Sequence, residues 1–228
     1  MKINIPWLGS LLFIIIFSSC RYDNATPIRN VRFDPGLLNP IKAAGGSCIN
    51  QTYYYKDEQK DLGLVYTRKI LVAFTDDLSI EQISEATQRH GFVQSLGQAV
   101  HSNSARLYPI QLVDGLNCQQ AEAAIAQMAK DPAVSYAAPF FETGDGQLLG
   151  ISNEFIVTVE AGRQPANDVL NRLANATGTE LITALSEDTF VLRADKNSRG
   201  NALEMANFFH KQPLVKHAEP DFVVSLPL

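Results

Sequence analysis

The stretch KDPAVSYAAPFF at residues 130–141 returns in altered form as KQPLVKHAEPDF at residues 211–222. The two segments are offset by 81 residues (211 − 130 = 81), and six of their twelve positions are identical. The identical pairs are Lys130 and Lys211, Pro132 and Pro213, Val134 and Val215, Ala137 and Ala218, Pro139 and Pro220, and Phe141 and Phe222. Similarity at a fixed offset indicates a repeated structural unit. The sequence therefore predicts one small unit that occurs twice.

The same order of elements precedes each of these segments. A short apolar run rich in β-branched residues opens each copy, at residues 69–74 and 154–159, as buried strands require. A helix is predicted after each run. In the first copy Ser79 begins it with a capping-box pattern, and in the second copy Pro165 suits the first turn. The predicted ends of these two helices are Gly91 and Gly178.

Two strands and a second helix are predicted to complete each copy before the repeated segment. The strand pairs are residues 92–99 with 105–112 and residues 179–185 with 189–194. The second helices are residues 117–130 and 198–211, and the proline of each repeated segment ends them. The repeated segments themselves supply the fourth strands.

The order βαββαβ, found twice, predicts an α+β protein of two tandem ferredoxin-like domains, at residues 66–146 and 150–228. Each domain is expected to be a four-stranded antiparallel sheet with two helices on one face and its other face open. Domains of roughly 70 residues bury only about 60% of their unfolded surface, so each is expected to gain stability from a neighbour.

The N-terminus, MKINIPWLGSLLFIIIFSSC, resembles a bacterial lipoprotein leader. Lys2 supplies a positive start, residues 7–17 are mostly apolar, and two serines precede Cys20. The apolar stretch is shorter than the roughly 20 residues that a membrane helix needs. Residues 1–19 are therefore predicted to be a signal peptide, and the resemblance implies that Cys20 carries the lipid anchor. The alternative is an unlipidated leader with an accidental cysteine.

A lipid on Cys20 predicts a location in the bacterial cell envelope, held to the membrane by acyl chains that each contribute about 0.8 kcal/mol per buried CH₂. Tyr22 does not resemble the aspartate signal that retains lipoproteins at the inner membrane. The outer membrane is therefore the favoured location.

Residues 20–65 are predicted to be a lipidated tether, because asparagine, proline, glycine and scattered charges replace any sustained periodicity. Its tyrosine cluster at residues 53–55 is a candidate for contact with the folded part. Cys48 and Cys118 are able to pair in an oxidising compartment. The favoured interpretation is a free Cys118 that packs on the helical stripe as a small hydrophobe.

The last repeated segment, VKHAEPDF at residues 215–222, resembles the end of subtilase propeptides, and the fervidolysin-like prodomain type most closely. In that family the open sheet face packs on two surface helices of the protease, and two acids cap the N-termini of those helices. By position these protease-docking acids are Glu219 and Asp221. The first copy has Ala138 and Phe140 instead, so the second copy is the expected docking domain and the first a scaffold.

The resemblance also implies an inhibitory tail that lies along the protease cleft. The candidate residues are Ser225, Leu226, Pro227 and Leu228. An apolar terminal residue would fill a primary specificity pocket, and a proline stiffens an extended segment. The alternative is that these residues are the frayed end of a strand.

Composition and motifs narrow the possible functions. A net charge of −5 without a basic cluster argues against nucleic acid as a partner. No serine-triad motif or metal-ligand spacing is present, so no catalytic residue, metal or cofactor is expected. The expected function is that of a non-catalytic inhibitor or folding chaperone of a subtilisin-type serine protease. The alternatives are a structural or protein-interaction lipoprotein that reuses the fold without a protease target, and a protease precursor separated from its catalytic domain.

Overall fold

The computed structural model of the protein describes residues 48–160 and 165–225. Within these residues eleven strands and four helices follow one another along the chain. Their bounds are β1 Gln51–Tyr55, β2 Glu58–Gly63, β3 Val65–Phe74, α1 Ile80–Gln88, β4 Val93–Leu96, β5 Val100–His101, β6 Arg106–Leu112, α2 Cys118–Met128, β7 Val134–Glu142, β8 Leu148–Val159, α3 Ala166–Thr177, β9 Glu180–Ala184, β10 Thr189–Arg193, α4 Ala202–His210 and β11 Val215–Ser225.

The starts of three helices are set by side-chain caps. Ser79, Asn117 and Asn201 each accept a hydrogen bond from the backbone N–H three residues on. The side chain of that later residue in turn accepts a hydrogen bond from the backbone N–H of the capping residue. This confirms the capping box predicted at Ser79. The third helix begins after Pro165 and ends at Gly178, whose φ of 71° is the left-handed conformation that glycine adopts readily.

Two predicted helix boundaries were wrong by several residues. The first helix ends at Gln88 rather than reaching Gly91, because the N–H of His90 turns back to the carbonyl of Thr87. The last helix begins at Ala202 rather than at Ser198. Ser198 belongs instead to a turn, in which its N–H donates to the carbonyl of Asp195.

The strands of the two copies belong to one antiparallel sheet of nine strands. Its order is β4-β6-β3-β7-β8-β10-β9, with β5 beside β6 and β11 beside β8. The first half thus contributes β7-β3-β6-β4, and the second half contributes β11-β8-β10-β9. The predicted α+β class is confirmed, but the sheet runs without interruption through both halves.

Strand β8 joins the halves because it is longer than the apolar run at residues 154–159 that predicted it. Its first residues, Leu148 to Gly150, pair with β7, and Glu154 to Thr158 pair with β10. Its other edge pairs with β11 along nearly its full length. The residues between the two pairing regions include a serine and an asparagine, so local composition did not reveal this extension.

The predicted tether is too long, because its last part is folded. Strands β1 and β2 form an antiparallel hairpin, and only a short link separates β2 from β3. The sequence of β2 is mostly charged and polar, and Leu62 is its only buried residue. Its strand conformation depends on pairing with β1, which packs on the second half. Cys20, the predicted lipid anchor, lies outside the described residues.

The expectation of a free Cys118 was also wrong, because Cys48 and Cys118 form a disulfide with their Cα atoms 6.0 Å apart. Cys118 is the first residue of α2 and is only partly buried, whereas Ala121, Ala124 and Met128 occupy the buried stripe. A cysteine at a helix start is accessible to a partner from outside the core. The bond links the residue just before the hairpin to the first half.

Candidate protein-binding surface

The two faces of the sheet differ in what covers them in the first half. Ile125 of α2 lines a cavity of about 180 Å³ together with Pro139 and Phe141, so these strand residues face the helices. Because side chains alternate along a strand, Tyr136, Ala138 and Phe140 face the opposite side. On that side Ala138 and Phe140 are both 0% exposed. The register places Lys69, Pro109 and Gln111 on the same side, and these three are partly exposed.

The second half covers the β7 part of this face. The hydroxyl of Tyr136 donates a hydrogen bond to the carbonyl of Ser152 at 2.6 Å and accepts one from the N–H of Ala202 at 3.3 Å. Phe140 lies over Gly150, where an added Cβ would come within 2.6 Å of the ring. The rest of this face, around Lys69 and Gln111, is not covered by the second half and lines a cavity of about 430 Å³.

The equivalent face of the second half is different. The rings of Phe155 and Phe209 touch at 5.1 Å, so Phe155 faces α4 and the alternate residues of β8 face away from the helices. The strand register places five residues together on that outer side. They are Ile156, Thr158, Thr183, Thr189 and Val191, and together they are called the open face below.

The open face is a mixed surface of methyl groups and hydroxyls. Val191 is buried by its strand neighbours, whereas Ile156, Thr158 and Thr189 are partly exposed and Thr183 is exposed. The hydroxyls of Thr158 and Thr189 are hydrogen-bonded to each other at 3.1 Å. Short branched side chains held on paired strands lose little entropy on contact with a partner, which suits protein binding.

Both predicted docking acids already have partners within the chain. Glu219 pairs in register with Ile156 and accepts a hydrogen bond from the backbone N–H of Lys56 at 2.9 Å. Asp221 is half-buried and accepts one from the hydroxyl of Ser152 at 2.9 Å. Burial raises the pKa of Asp221, and the charge of Glu154 acts in the same direction.

The residues at the matching positions of the first copy explain why acids are missing there. Ala138 and Phe140 lie in β7 on the part of the face that meets the second half, and both are fully buried. An unpaired carboxylate at either position would lose its hydration without compensation. The difference between the copies thus follows from which sheet face is packed inside the molecule.

The predicted tail begins inside the sheet. Val223, Val224 and Ser225 pair with the first residues of β8, and Ser225 is the last residue of β11. The other three predicted tail residues, Leu226, Pro227 and Leu228, lie outside the described residues. Ser225 is therefore held in the sheet and enters a protease cleft only if the end of β11 separates from β8.

A polar cluster at the junction of the halves was missed at the sequence level. Glu154 is 1% exposed, and its carboxylate accepts hydrogen bonds from Asn103 Nδ2 at 2.7 Å and from the N–H and hydroxyl of Ser104, both at 2.6 Å. Ser102 donates to Asn153 nearby. An acid at the start of an apolar run was the only local signal, because its partners are some fifty residues away.

A histidine–carboxylate pair in the first half has a structural role. Asp131 lies 3.1 Å from His90 Nε2, accepts from Arg89 and caps the N–H of Ala133. Burial raises the pKa of Asp131, but these hydrogen bonds outweigh burial and leave the pKa lowered. They fix the turn between α2 and β7.

Searches of the described residues add two observations. No group of three or more His, Cys, Asp or Glu side chains in residues 48–160 and 165–225 is arranged to hold a metal ion. None of the helices in that part of the chain has the length and apolar character needed to cross a membrane. In comparisons with known proteins, no family model and no curated protein matched the chain.

Proposed function

We propose that this protein is a non-catalytic, lipid-anchored component of the bacterial cell envelope, placed in the outer membrane through Cys20. Its two halves act as ferredoxin-like domains, and the second binds a protein partner through the open face. The partner is a subtilisin-type serine protease, for which the protein is an inhibitor or folding chaperone. The observation that supports this proposal is that the open face leaves Ile156, Thr158 and Thr189 partly exposed and Thr183 exposed.

The chemistry of the open face fits a helical partner surface. Methyl groups of Ile156 and the threonines offer apolar contact, and Glu219 stands at the edge of the same face. A helix N-terminus carries unpaired N–H groups and partial positive charge, so a carboxylate there contributes about 0.3 to 1 kcal/mol. Contact area supplies the rest of the affinity.

The test is titration of the soluble chain, residues 21–228, against a subtilisin-type protease. Wild type is expected to inhibit stoichiometrically. Thr158→Arg puts a long charged side chain in the middle of the open face and is expected to weaken inhibition by at least about tenfold, or about 1.4 kcal/mol. Gln127→Arg adds the same charge on the exposed side of α2 and serves as the control.

Equal inhibition by Thr158→Arg and Gln127→Arg would exclude the open face as the contact. A folded wild-type protein that binds no subtilase would contradict the proposal as a whole. Simple digestion of the protein as a substrate would also count against it.

A second candidate is a structural or protein-interaction lipoprotein that has no protease target. It is favoured by the internal partners of Glu219 and Asp221 and by the extension of β11 through Ser225. Crosslinking in intact envelopes separates the two candidates. Capture of non-proteolytic envelope proteins through a photocrosslinker at Thr158 supports the second, and capture of proteases alone opposes it.

A further inference from the structure

The β1–β2 hairpin covers one side of the second half. Tyr54 stacks on His210 of α4 with ring centres 4.0 Å apart and planes within 9°. Tyr53 meets the edge of Phe222 of β11 at 5.2 Å. Asn207 donates from Nδ2 to the carbonyl of Thr52 at 2.7 Å. The hairpin therefore bridges the last helix and the last strand.

The tip of the hairpin reaches the acid that sequence analysis assigned to partner binding. Lys56 has a positive φ of 55°, and its N–H donates to Glu219. The next residue, Asp57, lies 3.5 Å from Nδ1 of His217. The backbone N–H of Lys56 thus donates to the Glu219 carboxylate as an N–H in the first turn of a partner helix would.

Some buried polar atoms between the hairpin and the second half lack a hydrogen-bond partner among the described residues. Three buried polar atoms lie in this region without a hydrogen-bond partner among the described residues: Asn207 Oδ1, His210 Nδ1 and His217 Nδ1. The distance of 3.5 Å from His217 Nδ1 to Asp57 Oδ1 is too long for a good hydrogen bond, so Asp57 does not satisfy this nitrogen. A buried polar atom without a hydrogen-bond partner makes such a contact less stable.

Both ends of the hairpin are held to the first half of the molecule. Cys48, three residues before β1, is bonded to Cys118, and β2 leads directly into the central strand β3. Any movement of the hairpin away from α4 and β11 is therefore confined to its tip and its tyrosine face.

We propose that the surface beneath the hairpin, formed by Asn207, His210, His217, Glu219 and Phe222, is a second part of the partner-binding site and that the hairpin competes with the partner for it. The occupant is the same protein that binds the open face, and this identity rests on the proposed function. Opening of the hairpin does not depend on that function.

Hydrogen exchange of the full soluble chain tests the opening directly. The Lys56 amide is expected to exchange at least about 100-fold faster than the Val157 amide, because local opening requires less free energy than global unfolding. Tyr54→Ala removes the stack on His210 and is expected to speed exchange at Lys56 by a further three- to tenfold, roughly. Tyr55→Ala is the matched control, since Tyr55 is exposed.

Equal exchange rates at Lys56 and Val157, in wild type and in Tyr54→Ala, would overturn the proposal and make the hairpin a permanent part of the fold. The same two variants are then titrated against a subtilisin-type protease. Competition predicts that Tyr54→Ala binds more tightly than Tyr55→Ala by the factor seen in exchange.

The two outcomes separate the claims. Binding of equal strength by both variants excludes competition while leaving the proposed function intact. If no variant binds, the proposed function and the competition both fail, while the exchange rates still decide whether the hairpin opens.

Discussion

Tyr136 and His217 occupy the same position of the repeat, and each of them contacts a part of the chain outside its own copy. Tyr136 ties the first half to Ser152 and Ala202 of the second. His217 lies against Asp57 at the tip of the hairpin. Tyr136 is fully buried and both of its bonds are made, whereas Nδ1 of His217 is left unpaired. The first contact is thus fully hydrogen-bonded, whereas the second is the one that the proposed partner would replace.

Gly150 provides the sharpest test of the junction at single-residue level. An added Cβ would lie 2.6 and 2.7 Å from two atoms of the fully buried Phe140 ring, so Gly150→Ala forces the ring or the strand to move. We expect a loss of about 1 to 3 kcal/mol in the free energy of unfolding, measured by urea denaturation. Gly144→Ala is the control, because no atom lies within 4 Å of the added group. Equal stability of the two variants would show that the halves are not packed as described.

The hairpin shows how an element with little burial of its own is held in place. Its contacts with α4 and β11 combine an aromatic stack, one side-chain hydrogen bond and one backbone hydrogen bond. The titratable group with a shifted pKa in this contact is His210, which stacks on Tyr54. Burial lowers the pKa of His210, and the neighbouring His217 lowers it further.

This lowered pKa predicts that docking of the hairpin weakens in mild acid. The docked state binds fewer protons than the undocked state, so docking is strongest above the ordinary histidine pKa of about 6.5 and weakens as pH falls below it. The charges of Asp57 and Glu219 oppose the effect, and Lys211 adds to it. Exchange at Lys56, corrected for intrinsic rates, is expected to be several-fold faster relative to Val157 at pH 5.5 than at pH 7.5.

The control for this pH effect is His210→Gln, which keeps a planar polar side chain without the titrating ring. The pH dependence of exchange at Lys56 should then largely disappear. A dependence of the same size in His210→Gln would assign the effect to another of the surrounding groups.

At the level of the whole molecule, one sheet and one continuous core make the two repeated copies into a single unit. The hydrophobic core is continuous through both halves. The bond between Cys48 and Cys118 spans 70 residues and joins the start of the hairpin to the first half. Neither copy on its own would retain all of these contacts.

Removal of the disulfide is expected to destabilise the protein and loosen the hairpin. In a chain-entropy model a bond across this separation contributes about 2 to 4 kcal/mol. We expect Cys48→Ser/Cys118→Ser to lose that much in urea denaturation, with faster exchange at Lys56. Reductant should lower the stability of wild type to that of the variant and leave the variant unchanged. Identical urea midpoints for oxidised and reduced wild type would contradict this expectation.

Local signals in the sequence determined the elements of this protein. The repeated segments, the capping box at Ser79 and the glycine at 178 predicted an α+β chain and most of its strands and helices, because caps, turns and alternation act over a few residues. Only the tertiary structure decided that β8 joins the halves, that Cys48 pairs with Cys118 and that a mostly polar hairpin covers Glu219. Those features depend on partners that are distant along the chain, and composition alone carries no record of such pairings.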